Sequence, residues 1–118
     1  MLSVDRGQRI FLAAGPTDMR KAFDGLSGLV REELGRDPLS GELFVFCNAA
    51  RNRLKILLFE GAGLWVLAKR LERGTFAWPA APADGRRVEL SAEALALLLG
   101  GIDARELTPR RWRRVRVA

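Results

Sequence analysis

Apolar and polar positions alternate, or form short apolar runs, in several segments typical of β-strands. Three of them, "ELFVFC" (42–47), "RLKILLFE" (53–60) and "GLWVLAKRLE" (63–72), follow one another with short joins. This spacing predicts an antiparallel meander. An earlier run, "QRIFLAAG" (8–15), predicts another strand, and the shorter "TFAWP" (75–79) is a candidate extension of the sheet.

Two segments have the spacing of helices. Between residues 19 and 30 apolar residues recur at intervals of three and four, which predicts a helix over 18–34 with Thr17 or Asp18 as its cap and Gly35 at its end. A second helix is predicted after Ser91, which can cap it, and before Gly101. The fold class is therefore α+β: an antiparallel sheet of about five strands packed by two helices, with a basic C-terminal arm.

The chain length allows one domain with a real core. It has 118 residues, of which 48% are hydrophobic. We expect residues 1–103 to form a single α+β domain. Residues 104–118 lose the apolar periodicity and are predicted to form the basic arm.

The charge of the chain is strongly positive. The formal net charge is +6, and seventeen of the 20 basic residues are arginine. Such a balance makes nucleic acid the first partner to consider. A G+C-rich genome that favours arginine codons is the alternative explanation, so the distribution of the charges has to decide.

The composition excludes several kinds of chemistry. Histidine is absent, which removes imidazole metal ligands and every Ser-His or Cys-His nucleophile. The single cysteine, Cys47, stands in an apolar run and is predicted to pack as a small hydrophobe. We expect no metal and no cofactor. With neither a signal-peptide pattern nor an uncharged apolar run long enough to span a bilayer, we expect a cytoplasmic protein.

The strongest candidate site lies on the predicted hairpin 53–70. If the strands turn at Gly61 and Ala62, Arg53 faces Arg70 on one side of the ribbon. Two arginines directly opposite each other are destabilising by roughly 0.2 to 1 kcal/mol unless an anion lies between them. A phosphate group is a suitable anion. A solvated sheet face, whose charges prevent aggregation, is the alternative.

The register of the hairpin is a second open point. A three-residue loop would instead place Lys55 opposite Lys69 and Arg51 opposite Arg73, with basic residues still gathered at the same end. The candidate nucleic-acid-binding residues of the hairpin are Arg51, Arg53, Lys55, Lys69, Arg70 and Arg73.

Two further segments are candidates for nucleic-acid binding. Arg20 and Lys21 follow Asp18 in "GPTDMRK", where a helix start attracts anions, although Asp18 itself can fill that role as the cap. In the arm, a tryptophan able to stack on a base is surrounded by arginines that can neutralise phosphates. The arm candidates are Arg110, Arg111, Trp112, Arg113 and Arg114.

Carboxylates are the only candidates for catalysis. Asp18, Asp24, Glu60 and Glu72 are of the type that holds two metal ions for phosphoryl transfer, but no spacing in the sequence brings them together. We therefore predict no catalytic residue.

Several blocks of the sequence resemble a known family. The strings "TDMRKAFDGLSGLV", "GELFVFCNAARNRLKILLFEGAGLWVLAKRLERGTFAWP" and "LLLGGID" closely resemble the accessory protein encoded by the second open reading frame of IS66-type bacterial insertion sequences, often called TnpB. The resemblance covers roughly residues 9–103, and several blocks match in the same order and spacing. It implies a role in transposition beside a separate transposase that carries the catalytic apparatus.

These observations lead to three functional hypotheses. The first is a non-enzymatic DNA-binding factor that assists the transposase at the ends of the insertion sequence. The second is a protein-interaction adaptor for the transposase that has no DNA affinity. The third is a carboxylate- and metal-dependent nuclease. The expected partners are DNA, the transposase and other accessory proteins of the element, with an oligomer possible and no membrane.

Overall fold

The computed structural model describes residues 7–83 and 85–101 and confirms the α+β class. Five strands and two helices follow one another in the order β1 (Ile10–Ala13), α1 (Phe23–Glu32), β2 (Leu43–Cys47), β3 (Arg53–Glu60), β4 (Gly63–Arg70), β5 (Arg87–Leu90) and α2 (Ala92–Gly100). The proposed C-terminal arm lies outside the described residues.

The five strands form one sheet in the order β4-β3-β2-β1-β5. The sheet is mixed rather than wholly antiparallel, because β1 and β2 run parallel while the other neighbouring pairs are antiparallel. A parallel pair needs a crossover connection, and α1 supplies it between β1 and β2. The two strands of this parallel pair are fully buried, as parallel strands usually are.

The sheet buries apolar side chains on both faces. Alternate residues of each inner strand point to opposite sides, which divides the core into two clusters. On one face the strands pack with Leu26 and Val30 of α1 and with Leu34, which follows the helix. On the other face they pack with α2 through Leu95 and Leu98. Cys47 is buried in this second cluster, which confirms the prediction that it packs as a small hydrophobe.

The β3–β4 hairpin has the register that a turn at Gly61 and Ala62 predicts. Arg53 pairs with Arg70, and the ladder continues without interruption to Glu60 and Gly63. Gly61 has a φ of 63°, a backbone conformation that glycine adopts without steric cost. The alternative register with a three-residue loop is therefore wrong.

The segment predicted to extend the sheet covers it instead. Within residues 75–79 Phe76 is buried in the α2-side cluster, and the indole Nε1 of Trp78 donates to the carbonyl of Ala13 at 3.1 Å. "TFAWP" therefore adds no strand to the sheet, although its aromatic residues are the reason it resembles one.

The predicted start of α1 is wrong, whereas that of α2 is confirmed. Helix α1 begins at Phe23, and its N-cap, Ala22, makes no side-chain hydrogen bond. Asp18 lies four residues before the N-cap, and its carboxylate accepts hydrogen bonds from Arg20 instead. At α2 the Ser91 hydroxyl accepts a hydrogen bond from the N–H of Ala94, as a cap does.

The turn between α1 and β2 is held by a half-buried ion pair. The Arg36 guanidinium bonds both carboxylate oxygens of Glu42 and lies 4.4 Å from the ring centre of Phe11. The hydrogen bond from Arg36 lowers the pKa of the Glu42 carboxyl, and burial opposes this shift only in part. The pair thus links the end of α1 to the beginning of β2.

Because its pKa is lowered on folding, the Glu42 carboxylate stabilises the fold above its ordinary pKa of 4.5, and this contribution is lost as the pH falls through the lowered value. We expect the melting temperature to fall as the pH decreases below about 4.5. Glu42→Gln should make the melting temperature depend less on pH in that window, as measured by circular dichroism. An unchanged acid dependence in the variant would contradict this role.

The glycines of α1 allow a prediction about helix stability. A Cβ added at Gly28 would meet no atom within 4 Å, so Gly28→Ala should raise the free energy of unfolding by up to about 1 kcal/mol. At Gly25 the added Cβ would lie 3.0 Å from the Cβ of Lys21, so Gly25→Ala should gain less or lose stability. Urea denaturation of both variants checks the prediction, and a destabilised Gly28→Ala variant would contradict it.

Candidate nucleic-acid interface

Arg53 and Arg70 face each other at the open end of the β3–β4 hairpin. The backbone N–H and C=O of Arg53 both bond to Asn48, on the β2 side, so Arg53 and Arg70 form a pair without hydrogen bonds between them. Side chains stand closest in pairs of this kind. Both residues are exposed, and the ladder holds the bases of their side chains next to each other.

The two arginines differ in their partners. Arg70 donates from Nε to a carboxylate oxygen of Glu72 at 3.0 Å, on the surface. For Arg53 no side-chain hydrogen bond or ion pair occurs with the residues that the structure describes. Of the two opposed arginines, only Arg70 therefore has an acidic partner among the described residues.

Lys55 connects the hairpin to the segment that precedes α1. Its ammonium group donates to the backbone carbonyl of Lys21 at 2.8 Å, across the α1 side of the sheet. A depression of about 460 Å³ lies beside this contact. We name it the basic groove; it is lined by Met19, Arg53, Leu54, Lys55, Ala68, Lys69, Arg70 and Glu72. Two of the three predicted candidate segments are thus neighbours in space.

Arg20 is bound to Asp18 rather than presented to a helix end. Its guanidinium forms a forked contact with both Asp18 carboxylate oxygens, and its backbone N–H donates to the same side chain. The pKa of Asp18 is lowered to about 2, chiefly by the side-chain hydrogen bond from Arg20. Since α1 begins at Phe23, Arg20 and Lys21 do not lie in its first turn. The predicted attraction of an anion by the helix dipole therefore loses its geometric basis there.

Lys69 points to the other face of the sheet. It pairs with Leu54, whose side chain belongs to the α2-side cluster, and its ammonium donates to the carbonyl of Leu99 near the end of α2 at 2.7 Å. A cation in this place is favourable because the helix C-terminus carries a partial negative charge. The ammonium of Lys69 thus serves the packing of α2 rather than the side on which Arg53 and Arg70 lie.

Arg51 also turns away from the opposed arginines. It has a φ of 59°, and its guanidinium carbon lies 5.3 Å from the ring centre of Trp78. Its backbone carbonyl accepts a hydrogen bond from the N–H of Phe76 at 2.7 Å. Arg73, the last of the hairpin candidates, is exposed beyond β4. The candidates in the arm, Arg110, Arg111, Trp112, Arg113 and Arg114, lie outside the described residues.

A second gathering of arginines, which sequence reasoning missed, surrounds Phe11. The guanidinium carbons of Arg9, Arg36 and Arg87 lie 4.4 to 5.5 Å from its ring centre. Arg9 and Arg36 are paired with Glu89 and Glu42, and Arg87 donates to the carbonyl of Leu34. In the sequence, the opposite charges of Arg87 and Glu89 in "RVEL" were the signal that could have indicated this cluster. These arginines are committed to partners within the fold.

A concavity lies at the carboxyl ends of the parallel strands β1 and β2. It has a volume of about 580 Å³, and its polar lining includes Asp18, Lys21, Glu33 and Arg86. Arg86 and Glu33 form an ion pair of 3.4 Å across it. The parallel pair creates this site, so a sequence interpreted as wholly antiparallel does not predict it.

The described residues contain no group of three or more Cys, Asp or Glu side chains that could hold a metal ion. In the same part of the chain, neither helix is long and apolar enough to cross a bilayer.

Comparison with known proteins places the chain in a family. No solved structure matches it. Two uncharacterized proteins of Sinorhizobium fredii are similar to it: y4hO is 39% identical over 99% of each chain, and y4jC is 36% identical over 87% of this chain and 86% of its own. The family model described as IS66 Orf2 like protein matches residues 8–109. The chain therefore belongs to the IS66 Orf2-like family of insertion-sequence accessory proteins.

Proposed function

We propose that the protein is a non-catalytic factor that binds DNA through the basic groove and assists the transposase at the ends of its insertion sequence. The opposed pair of Arg53 and Arg70 is the observation that carries this proposal. Like charges held face to face weaken a sheet, and a phosphate between them turns the repulsion into two charge-assisted contacts. Arginine suits this role because its planar group can bind phosphate through two parallel hydrogen bonds.

The surroundings of the pair support a phosphate ligand. Lys55 adds a third cation, and its bond to the carbonyl of Lys21 leaves two of its three ammonium hydrogens for other acceptors. Glu72 is the only acidic residue that lines the basic groove among the described residues. The basic groove thus offers more positive than negative charge to the DNA backbone, which carries one phosphate per nucleotide.

Contacts of this type bind the DNA backbone and not the base edges, so they carry little sequence information. The basic groove would contribute affinity and position, and recognition of the element ends would come from another part of the assembly. The arm candidates Arg110, Arg111, Arg113 and Arg114 would add phosphate contacts, with Trp112 stacking on an unpaired base.

The test of the groove is the binding of a labelled element-end duplex, followed by fluorescence anisotropy at several salt concentrations. Arg53→Gln with Arg70→Gln removes two phosphate contacts, so the slope of log affinity against log salt should become shallower by about 1.8. Affinity at the lowest salt should fall roughly tenfold or more, which is the effect of losing charge-assisted contacts worth about 1.4 kcal/mol or more.

The matched control removes one arginine from another exposed place. Arg31 lies in the last turn of α1, and Arg31→Gln should weaken binding less than Arg53→Gln alone. Thermal unfolding of each variant confirms that the fold is intact. Equal losses from Arg31→Gln and Arg53→Gln would mean that net charge rather than the groove binds DNA.

The arm is tested in the full chain with Trp112→Ala, Arg111→Gln and Arg113→Gln combined. A loss confined to this variant would move the DNA contact from the groove to the arm. If the unaltered protein binds neither the element-end duplex nor a scrambled one, the DNA proposal fails and the transposase adaptor replaces it.

A further inference from the structure

The two edges of the sheet differ in how they are protected. Within the described residues β4 has only β3 as a neighbour, and β5 has only β1. Strand β5 is four residues long and carries Arg87 and Glu89, whereas β4 is eight residues long and has no charge between Gly63 and Ala68. Short length and charge are the usual protections of an edge strand, and β4 lacks both over most of its length.

The edge of β4 is also regular. Its ladder with β3 runs without a bulge from Arg53–Arg70 to Glu60–Gly63, and it contains no proline. Because Arg70 belongs to a pair without hydrogen bonds, the N–H and C=O groups of Leu64, Val66 and Ala68 also point away from β3. These groups form a row that another strand can join.

An exposed tryptophan stands beside this row. Trp65 is 56% exposed, and it lies on the α2 side of the sheet because it pairs with Leu58. Its neighbour on the same side, Leu67, is only partly buried. A large aromatic ring left in water on an open edge gains free energy when an apolar partner covers it.

We infer that β4 is an interface at which a second copy of this chain pairs antiparallel, about a twofold axis through Val66. Residues paired across such a ladder share a face, and this register places Trp65 of each copy opposite Leu67 of the other. In this register the outward N–H and C=O groups of Val66 bond to those of Val66 in the other copy. The same groups of Leu64 in one copy bond to those of Ala68 in the other. The two sheets then form one sheet of ten strands.

The charges of β4 favour the same partner. Only Lys69 and Arg70, at one end, are charged. In a parallel pairing of two copies these cations would stand side by side. In the antiparallel pairing Lys69 lies opposite Gly63 and Arg70 opposite Ala62 of the other copy, near Glu60, so like charges are separated. The charges of β4 therefore favour antiparallel pairing with a second copy and oppose parallel pairing.

A twofold axis normal to the sheet keeps the basic groove of both copies on the same face. Arg70 is four residues from Val66, so the two Arg70 residues would be separated by about 26 Å along the strand direction. The pairing needs no DNA, and its test is independent of the proposed function.

The test is the mass of the full chain in solution without DNA, by analytical ultracentrifugation over a dilution series. We expect twice the 13.1 kDa of one chain at high concentration and reversible dissociation on dilution. Val66→Pro removes an N–H that points away from β3 and has no partner among the residues that the structure describes, so it should abolish the dimer while the fold remains. A monomer at near-millimolar concentration, or a ladder of larger species, would overturn the inference.

Two further variants separate the edge from other surfaces. Trp65→Glu should also give a monomer, and it decides the question if Val66→Pro fails to fold. The control is Leu39→Glu, because Leu39 is 51% exposed but lies in the turn between α1 and β2; this variant should dimerise normally. A dimer that persists in Trp65→Glu would place the interface elsewhere.

Amide hydrogen exchange identifies the strand directly. In the dimer the N–H groups of Leu64, Val66 and Ala68 should exchange slowly at high concentration and faster on dilution. Rapid exchange of these amides in a protein that is dimeric by mass would also overturn pairing through β4.

Discussion

All five residues of β2 are buried, and the rest of the structure depends on covering both faces of this strand. The parallel pairing of β1 with β2 requires a crossover, and the crossover helix α1 covers one face. The segment 75–79 and α2 cover the other face. Because this strand is apolar on both faces, the sheet has to be covered by a helix on each side.

The basic groove results from this arrangement. The opposed arginines lie where β2 ends, because its last residue, Cys47, pairs with Leu54 and Arg53 is the next residue of β3. The open end of the hairpin carries Arg53 and Arg70, while the central residues Ile56 and Leu57 remain buried. Lys55, at the boundary, bonds to the segment before α1 and so fixes the wall of the groove. The site is therefore placed by the same contacts that hold the hairpin to the core.

The hairpin could be predicted from the sequence because its determinants are local. A two-residue turn at Gly61 and Ala62 and the alternation along both strands fix the pairing of Arg53 with Arg70. Ser91 marked α2 correctly for the same reason, since a cap acts on the next turn of its own helix.

Long-range pairing was not predictable in this way. The apolar run "LFVFC" fits a strand buried on both faces in a parallel or an antiparallel sheet, and only the tertiary structure selects β1 as its parallel neighbour. The turn at Gly61 and Ala62 places Lys69 opposite Leu54, but the use of Lys69 in holding the end of α2 depends on a helix residue thirty positions away. The cap prediction for α1 failed for a local reason: Asp18 binds Arg20, two residues away, and the helix begins only at Phe23.

The distribution of charge argues against composition as the whole explanation of the basic character. Around Phe11 the arginines are matched with acids or carbonyl groups, so high arginine content there is compatible with a stable surface. At the open end of the hairpin, Arg53 and Arg70 face each other with Glu72 alone beside them. An excess of arginine codons explains how many arginines the chain has, but it gives no reason to oppose two of them in one ladder. The proposed phosphate ligand would give that reason, because it would reverse the sign of the interaction between two arginines of which only Arg70 has an acidic partner among the described residues.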